Sequence, residues 1–288
     1  MKKRRIGFVC GIFGMTILIG CGENEIPAVG RPTVTQSAEV VVTKEPDNTS
    51  TPESTKAPEV PEQNTDELQY SFAEETDEAG DGEVTYFSSV ISYPLFAGGD
   101  GAEAVNGFVE TLLAEFRLYL PEAEENAKYD YEEFKNGEFP GFIFPEVQEY
   151  TVSVLWQDAD VVALYVQDYS HTGGAHPNTF GVTHMINKAD GMTVESEAIL
   201  AEYGLSVEEV AEYAAAQIRK KDGDVLYETD REETLTEWVT NFLKGNQWYL
   251  NERGLVIFAN PYDIAPYAYG VIECEISYED LEQGLKND

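Results

Sequence analysis

The stretch YTVSVLWQDADVVALYVQDY, residues 150–169, decides the class of fold. Tyr150, Val152, Val154 and Trp156 recur at every second position, the spacing that puts them on one face of a strand. Asp158-Ala159-Asp160 supplies a turn, and Val161 to Tyr169 returns as a second strand, so the stretch reads as a hairpin. Outward from it, Phe180, Val182, His184 and Ile186 alternate again, and Ala189-Asp190-Gly191 turns the chain once more. Upstream, Val84 to Tyr93 reads as a strand stopped by Pro94. Asp100 and Glu103 form a candidate capping pair. Beyond them Val105, Phe108, Val109, Leu112, Leu113, Phe116 and Leu120 follow a helical period that Pro121 ends.

Downstream, Ser206 with Glu209 is a capping box ahead of Val207, Val210, Ala214 and Ile218. Thr229 with Glu232 starts a further helix carrying Leu235, Trp238, Val239 and Phe242. Extended segments follow near residues 247–250, 254–259 and 271–278. Strands arrive in runs and helices in a separate run. That order predicts α+β: antiparallel sheets with helices packed on one face. The roughly 200 residues beyond the acidic stretch suffice for one sizeable core or two closely joined small ones. Between helix and hairpin, Tyr129 to Pro145 is a loop rich in aromatics, glycine and proline. It is either a recognition surface or a cover folded over the core.

The N-terminus indicates the compartment. Lys2, Lys3, Arg4 and Arg5 precede an apolar run from Ile6 to Ile19, the build of a signal-peptide leader. A membrane-spanning helix needs roughly 20 apolar residues, more than this run supplies. The run closes in Leu18-Ile19-Gly20-Cys21, which resembles the lipobox of bacterial lipoproteins. The resemblance implies acylation of Cys21, cleavage of residues 1–20 and attachment to the outer face of the cell membrane. From residue 21 to 82 the chain is acidic and rich in Pro, Thr and Ser, without periodicity, and is expected to be an unstructured tether.

Formal charge is −36, and loss of the four basic leader residues leaves 14 basic side chains against 54 acidic ones, about −40. Such a field repels a phosphate backbone and attracts cationic proteins, so nucleic acid is an unsuitable partner. Beyond the leader and Cys21 only Cys274 remains, so no internal disulfide can form; its alternation with Ile272 and Ile276 marks a buried strand position.

All three histidines, His171, His176 and His184, lie in one window. With a carboxylate such as Asp168, His171 and His176 are candidate zinc ligands, although the spacing matches no zinc signature. His184 shares a face with Phe180, Val182 and Ile186, the setting of a half-buried structural histidine. No nucleophile elbow, phosphate-binding loop or dinucleotide fingerprint occurs, and no cofactor is expected. Tyr169-Ser170-His171-Thr172-Gly173-Gly174-Ala175-His176 is the most distinctive segment. Paired glycines allow a sharp turn, and a histidine after it can bond the turn or face a partner.

Thr172-Gly173-Gly174-Ala175-His176 with Asn178-Thr179 resembles the hallmark of an extracytoplasmic domain family. That family is shared by the lysozyme-sensing anti-sigma factor RsiV and the peptidoglycan deacetylase PdaC. A second block agrees: Trp248-Tyr249-Leu250, Gly254 to Phe258, then Asn260-Pro261-Tyr262-Asp263-Ile264-Ala265-Pro266-Tyr267-Ala268 and Gly270. So does the N-terminal part, with Ser92-Tyr93-Pro94 and Asn106. The resemblance covers about residues 83–281. It implies a small lobe, 83–145, packed on a larger one, 146–288, and brings no agreed catalytic set. Its implied binding residues are Tyr169, His171, Gly173, Gly174, His176, Asn178, Tyr262 and Tyr267. The function expected is a non-catalytic ectodomain that binds a basic protein such as lysozyme, or peptidoglycan. A metal-dependent cell-wall hydrolase is the alternative.

Overall fold

A computed structural model describes residues 67–138, 141–227 and 232–286, the side chains of 232 and 233 excepted. The leader, Cys21, the expected tether up to residue 66, Phe139 and the Thr229 cap lie outside them. The fold begins inside the stretch expected to be tether. Leu68 is buried, and both its backbone groups are held by the Gln157 side chain, at 2.9 and 3.0 Å. Strand β1 (Gln69–Gly80) then pairs antiparallel with β2 (Thr85–Ala97). The acidic surface of β1 gives it the composition of a linker, but its ladder to β2 satisfies its backbone, and Arg117 pairs with Glu75 beneath it. Strand β2 also runs through Pro94, which lies opposite Phe72.

Helix α1 (Ala102–Lys135) passes straight through Pro121. Its apolar stripe continues as Ala123, Ala127 and Tyr131, all buried, while Pro121 sits on the solvent side. A missing N–H there frees only a carbonyl that water can reach. The far end is tied to the β1–β2 turn: Asp81 accepts from the amides of Glu83 and Val84, the Tyr131 hydroxyl and Lys135. These bonds hold its carboxyl far below the ordinary carboxylate range. The start of α1 is capped by Gly101 in a left-handed conformation, φ 98°, and not by Asp100 with Glu103. Residues 129–135 are therefore helix rather than loop. Phe144 folds back beside Tyr131 and Phe134, with Phe142 against it, covering a small cluster that includes Tyr86, Phe87 and Ala127.

The hairpin is β3 (Glu146–Gln157) and β4 (Val161–His171), in register at Thr151 and Gln167 with a bulge between Val154 and Trp156. Strand β5 (Asn178–Asn187) pairs with β4 to complete a five-stranded sheet in the order β1-β2-β3-β4-β5. All pairs are antiparallel except β2 with β3, which α1 joins as a crossover. The α+β class stands, with this one parallel junction. Because β2 and β3 are bonded neighbours, the sheet runs unbroken across residues 145 and 146, where the lobes were expected to divide. One face of the sheet buries Ile91, Val152, Leu164, Val166 and Ile186 under Val105, Val109, Leu113 and Phe116 of α1.

The rest of the chain forms α2 (Ser196–Glu202), α3 (Val207–Asp222), α4 (Glu232–Lys244), a three-stranded antiparallel sheet and α5 (Tyr278–Glu282). The Ser206–Glu209 capping box starts α3. The strands are β6 (Trp248–Leu250), β7 (Gly254–Ala259) and β8 (Ile272–Ser277). Strand β7 is central and buried throughout, which explains its unbroken apolar run. Cys274 on β8 is buried, and its thiol is pushed up to about 11, so it stays protonated. Ala163 and Met185 from the large sheet join this second core.

One buried carboxyl stands apart. Glu146, at the start of β3, is 4% exposed, and its Oε1 has no hydrogen-bond partner among the described residues. Burial, then the neighbouring Asp130 carboxylate, raises its pKa from 4.5 to about 7. Across that interval the native state keeps a proton that the unfolded chain releases, so stability falls as pH rises through it. Glu146→Gln is expected to stabilise by about 1–3 kcal/mol at pH 8 and negligibly at pH 4. Urea melts at both values check this; equal shifts at the two would contradict it.

Candidate functional site

Between β4 and β5 the chain turns over Thr172 to Pro177. Gly173 adopts φ 74°, and a Cβ there would lie 2.2 Å from the Phe142 ring. Both its conformation and its surroundings therefore demand glycine. Gly174 has neither restriction. The turn delivers His176 onto Tyr267, ring centroids 4.7 Å apart and nearly parallel at 18°. Its Nε2 lies 3.0 Å from the Tyr262 hydroxyl and its Nδ1 2.9 Å from the Pro177 carbonyl. Thus the two distinctive segments, 86 residues apart in the sequence at this contact, meet.

The second segment is fastened to β5 by Asn260. Its side-chain oxygen accepts from the Gly181 amide at 2.8 Å, and its side-chain nitrogen donates to the Gly181 carbonyl at 2.9 Å. The carboxamide thereby continues the sheet ladder with a side chain. Gly181 itself cannot carry a Cβ, which would overlap the Tyr165 hydroxyl at 2.1 Å. Farther along the same edge, Thr183 donates from its amide to the Asn246 carbonyl at 2.6 Å and from its hydroxyl to the carbonyls of Asn246 and Trp248. Behind Asn260, the Asp263 carboxylate accepts from the Asn260 amide at 2.7 Å and from Gln247 at 2.6 Å. Burial raises the Asp263 pKa against these lowering bonds. Ile264 and Ala265 are buried, and Tyr262 takes a left-handed φ of 75° that turns its ring outward beside His176.

A cleft of about 280 Å³ opens here, bounded by Asp168, Ser170, Asn178, Phe180, Tyr262 and Tyr267. Phe180 is 51% exposed and Tyr262 50%. Asp168 and Phe180 are opposite one another on β4 and β5. Among the described residues, no donor or cation reaches the Asp168 carboxylate, and burial alone raises its pKa.

Of the expected binding residues, Asn178, Tyr262 and Tyr267 line the cleft, and His176 stacks behind its tyrosines. Gly173 and Gly174 shape the turn. Tyr169 and His171 are not among its lining residues: Tyr169 stands opposite Glu149 and Thr179, and His171 closes β4 opposite Val147. Both His176 nitrogens are engaged, and among the described residues no three His, Cys, Asp or Glu side chains gather as a metal site. His184 rests against Phe108 at 5.1 Å, and burial lowers its pKa. Sequence reasoning missed the clamp made by Asn260 and the packing of Phe142 on Gly173, because neither partner is near in the chain. Phe180 was legible only as a member of a strand.

Comparison with known proteins accords with this architecture. Residues 81–179 match the family model described as Deacetylase PdaC. Residues 204–279 match the model of a protein family of unknown function, DUF3298. No curated protein matches the chain. A crystal structure of a DUF3298 family member from Bacteroides fragilis is similar, with a TM-score of 0.52 at 16% identity, covering 76% of this chain and 94% of that one. Another, from Pseudomonas aeruginosa, has a TM-score of 0.46 at 16% identity, covering 75% and 94%. The first match shows that the fold is shared.

Proposed function

We propose that this chain, with its PdaC-like and DUF3298 segments, is a non-catalytic binding protein. Acyl groups on Cys21 hold it on the outer face of the cell membrane, and the cleft beside His176 receives its ligand. One observation carries the proposal: two remote segments are clamped together to present an open, aromatic-walled recess. Half-exposed rings on a fixed backbone anchor ligands well, since they bring contact area with little conformational entropy to lose. The acidic charge favours a basic protein such as lysozyme, and peptidoglycan is the other candidate. Anchoring is supported by the Leu18-Ile19-Gly20-Cys21 tetrad after a basic, apolar leader.

Calorimetry of the purified lipid-free chain with lysozyme at low ionic strength is expected to show binding that added salt weakens. Tyr267→Ala is expected to reduce that affinity about tenfold or more. Absence of heat with lysozyme, together with no co-sedimentation with peptidoglycan, would remove the proposal. For the anchor, mass spectrometry of the native protein is expected to find Cys21 acylated at the new N-terminus.

A further inference from the structure

Resting on the assignment of the cleft as a binding site, we infer that it takes a cationic side chain, a guanidinium or ammonium, of the ligand protein. Asp168 supplies the counter-charge, and Phe180, Tyr262 and Tyr267 supply the rings around it.

The inference comes from how three other carboxylates among the described residues, each at least partly buried, are treated. Glu75 faces Arg117 at 2.5 Å and also accepts from Tyr93. Asp263 receives the Asn260 amide and Gln247. Glu146 is buried against Asp130 and retains its proton until about pH 7. Asp168 alone among these borders an open cleft, and among the described residues no donor or cation partners its carboxylate. A partly desolvated anion without a partner carries a cost that a cation arriving from outside relieves.

The walls narrow the cation to an organic one. Phe180 and Tyr262 present half-exposed rings, with Tyr267 held behind by the His176 stack. Ring faces attract ammonium and, above all, guanidinium groups. Ser170 and Asn178 add polar groups at the rim where a forked donor can bond. The volume of about 280 Å³ accommodates one long basic side chain. A neutral sugar would also stack on the rings and donate hydroxyl groups to Asp168, but it would bring no counter-charge. The net charge of −36 draws basic proteins to the whole surface, and the cleft then sets where one residue docks.

The test titrates the full chain with a tetra-arginine peptide, a tetra-citrulline peptide of the same length and an N-acetylglucosamine tetramer. Variants are Asp168→Asn, Tyr267→Ala and Glu125→Gln, the last an exposed acid on α1 that controls for bulk charge. Tetra-arginine is expected to bind and tetra-citrulline not. Asp168→Asn and Tyr267→Ala should each weaken tetra-arginine binding about tenfold or more, and Glu125→Gln less than about twofold. Asp168→Asn should melt no lower than the native chain, because it removes an unpartnered charge. If Tyr267→Ala weakens binding and Asp168→Asn does not, the cation inference fails while the cleft stands. If neither variant has an effect, both fail. Binding of the saccharide, with Asp168→Asn silent, also overturns the inference, as does a native chain that ignores tetra-arginine.

Discussion

Asn260→Ala is expected to destabilise the domain by roughly 2–5 kcal/mol, because it strips partners from two buried backbone groups at once. The Gly181 amide and carbonyl lie on the edge of β5 and face the Asn260 carboxamide at 2.8 and 2.9 Å. Asn260 is 3% exposed, so water cannot replace the lost bonds without opening the seam. For a domain of this size the change corresponds to a fall of roughly 5–15 °C in Tm. Asn260→Asp is a sharper control. It keeps an acceptor for the Gly181 amide but sets a carboxylate oxygen against the Gly181 carbonyl, beside the Asp263 carboxylate. It should be at least as damaging as alanine. Ligand affinity should fall in both variants at temperatures where they remain folded, since the clamp places Tyr262 and Tyr267. A melt within a degree of the native chain would show that the bidentate pairing is not what joins the segments.

Gly173→Ala is the second large effect, expected at roughly 2–4 kcal/mol from two separable causes. The left-handed φ of 74° penalises any Cβ, and the Phe142 ring already fills the place where that Cβ would go, 2.2 Å away. Phe142→Ala in the same chain should relieve the overlap and return about half of the loss, leaving the backbone part. Gly174→Ala, with open space at its Cβ and no left-handed φ, should be nearly silent. Thermal melts of the four chains measure this directly. Equal effects at the two glycines would contradict the assignment, since sequence treats them alike and only their surroundings distinguish them.

The hairpin of residues 150–169, the capping box at Ser206 and the stripe from Val105 to Leu120 were readable because each depends on neighbours within one turn or one strand. Three features were not. β1 looks like linker because Glu74, Asp77 and Glu78 face water, and its order comes from β2. α1 outlasts Pro121 because Tyr131 and Lys135 find Asp81, some 50 residues upstream. The sheet continues across residues 145 and 146 because the parallel pairing of β2 with β3 is set by where a 34-residue helix returns the chain.

At the site, local pattern marked Gly173 and His176 as unusual, and the family resemblance added Tyr262 and Tyr267. The chain's own order of residues determined the period of each strand and helix, the turn glycines, the acidic charge and the leader ending at Cys21, all properties of adjacent side chains. Only tertiary structure decided that His176 would stack on Tyr267, that Asn260 would extend β5, and that Asp168 would border a cleft without a counter-ion among the described residues. The physical reason is range. Periodicity and capping are settled within a few residues, whereas a hydrogen bond between positions 79 apart exists only once both sheets have formed and met.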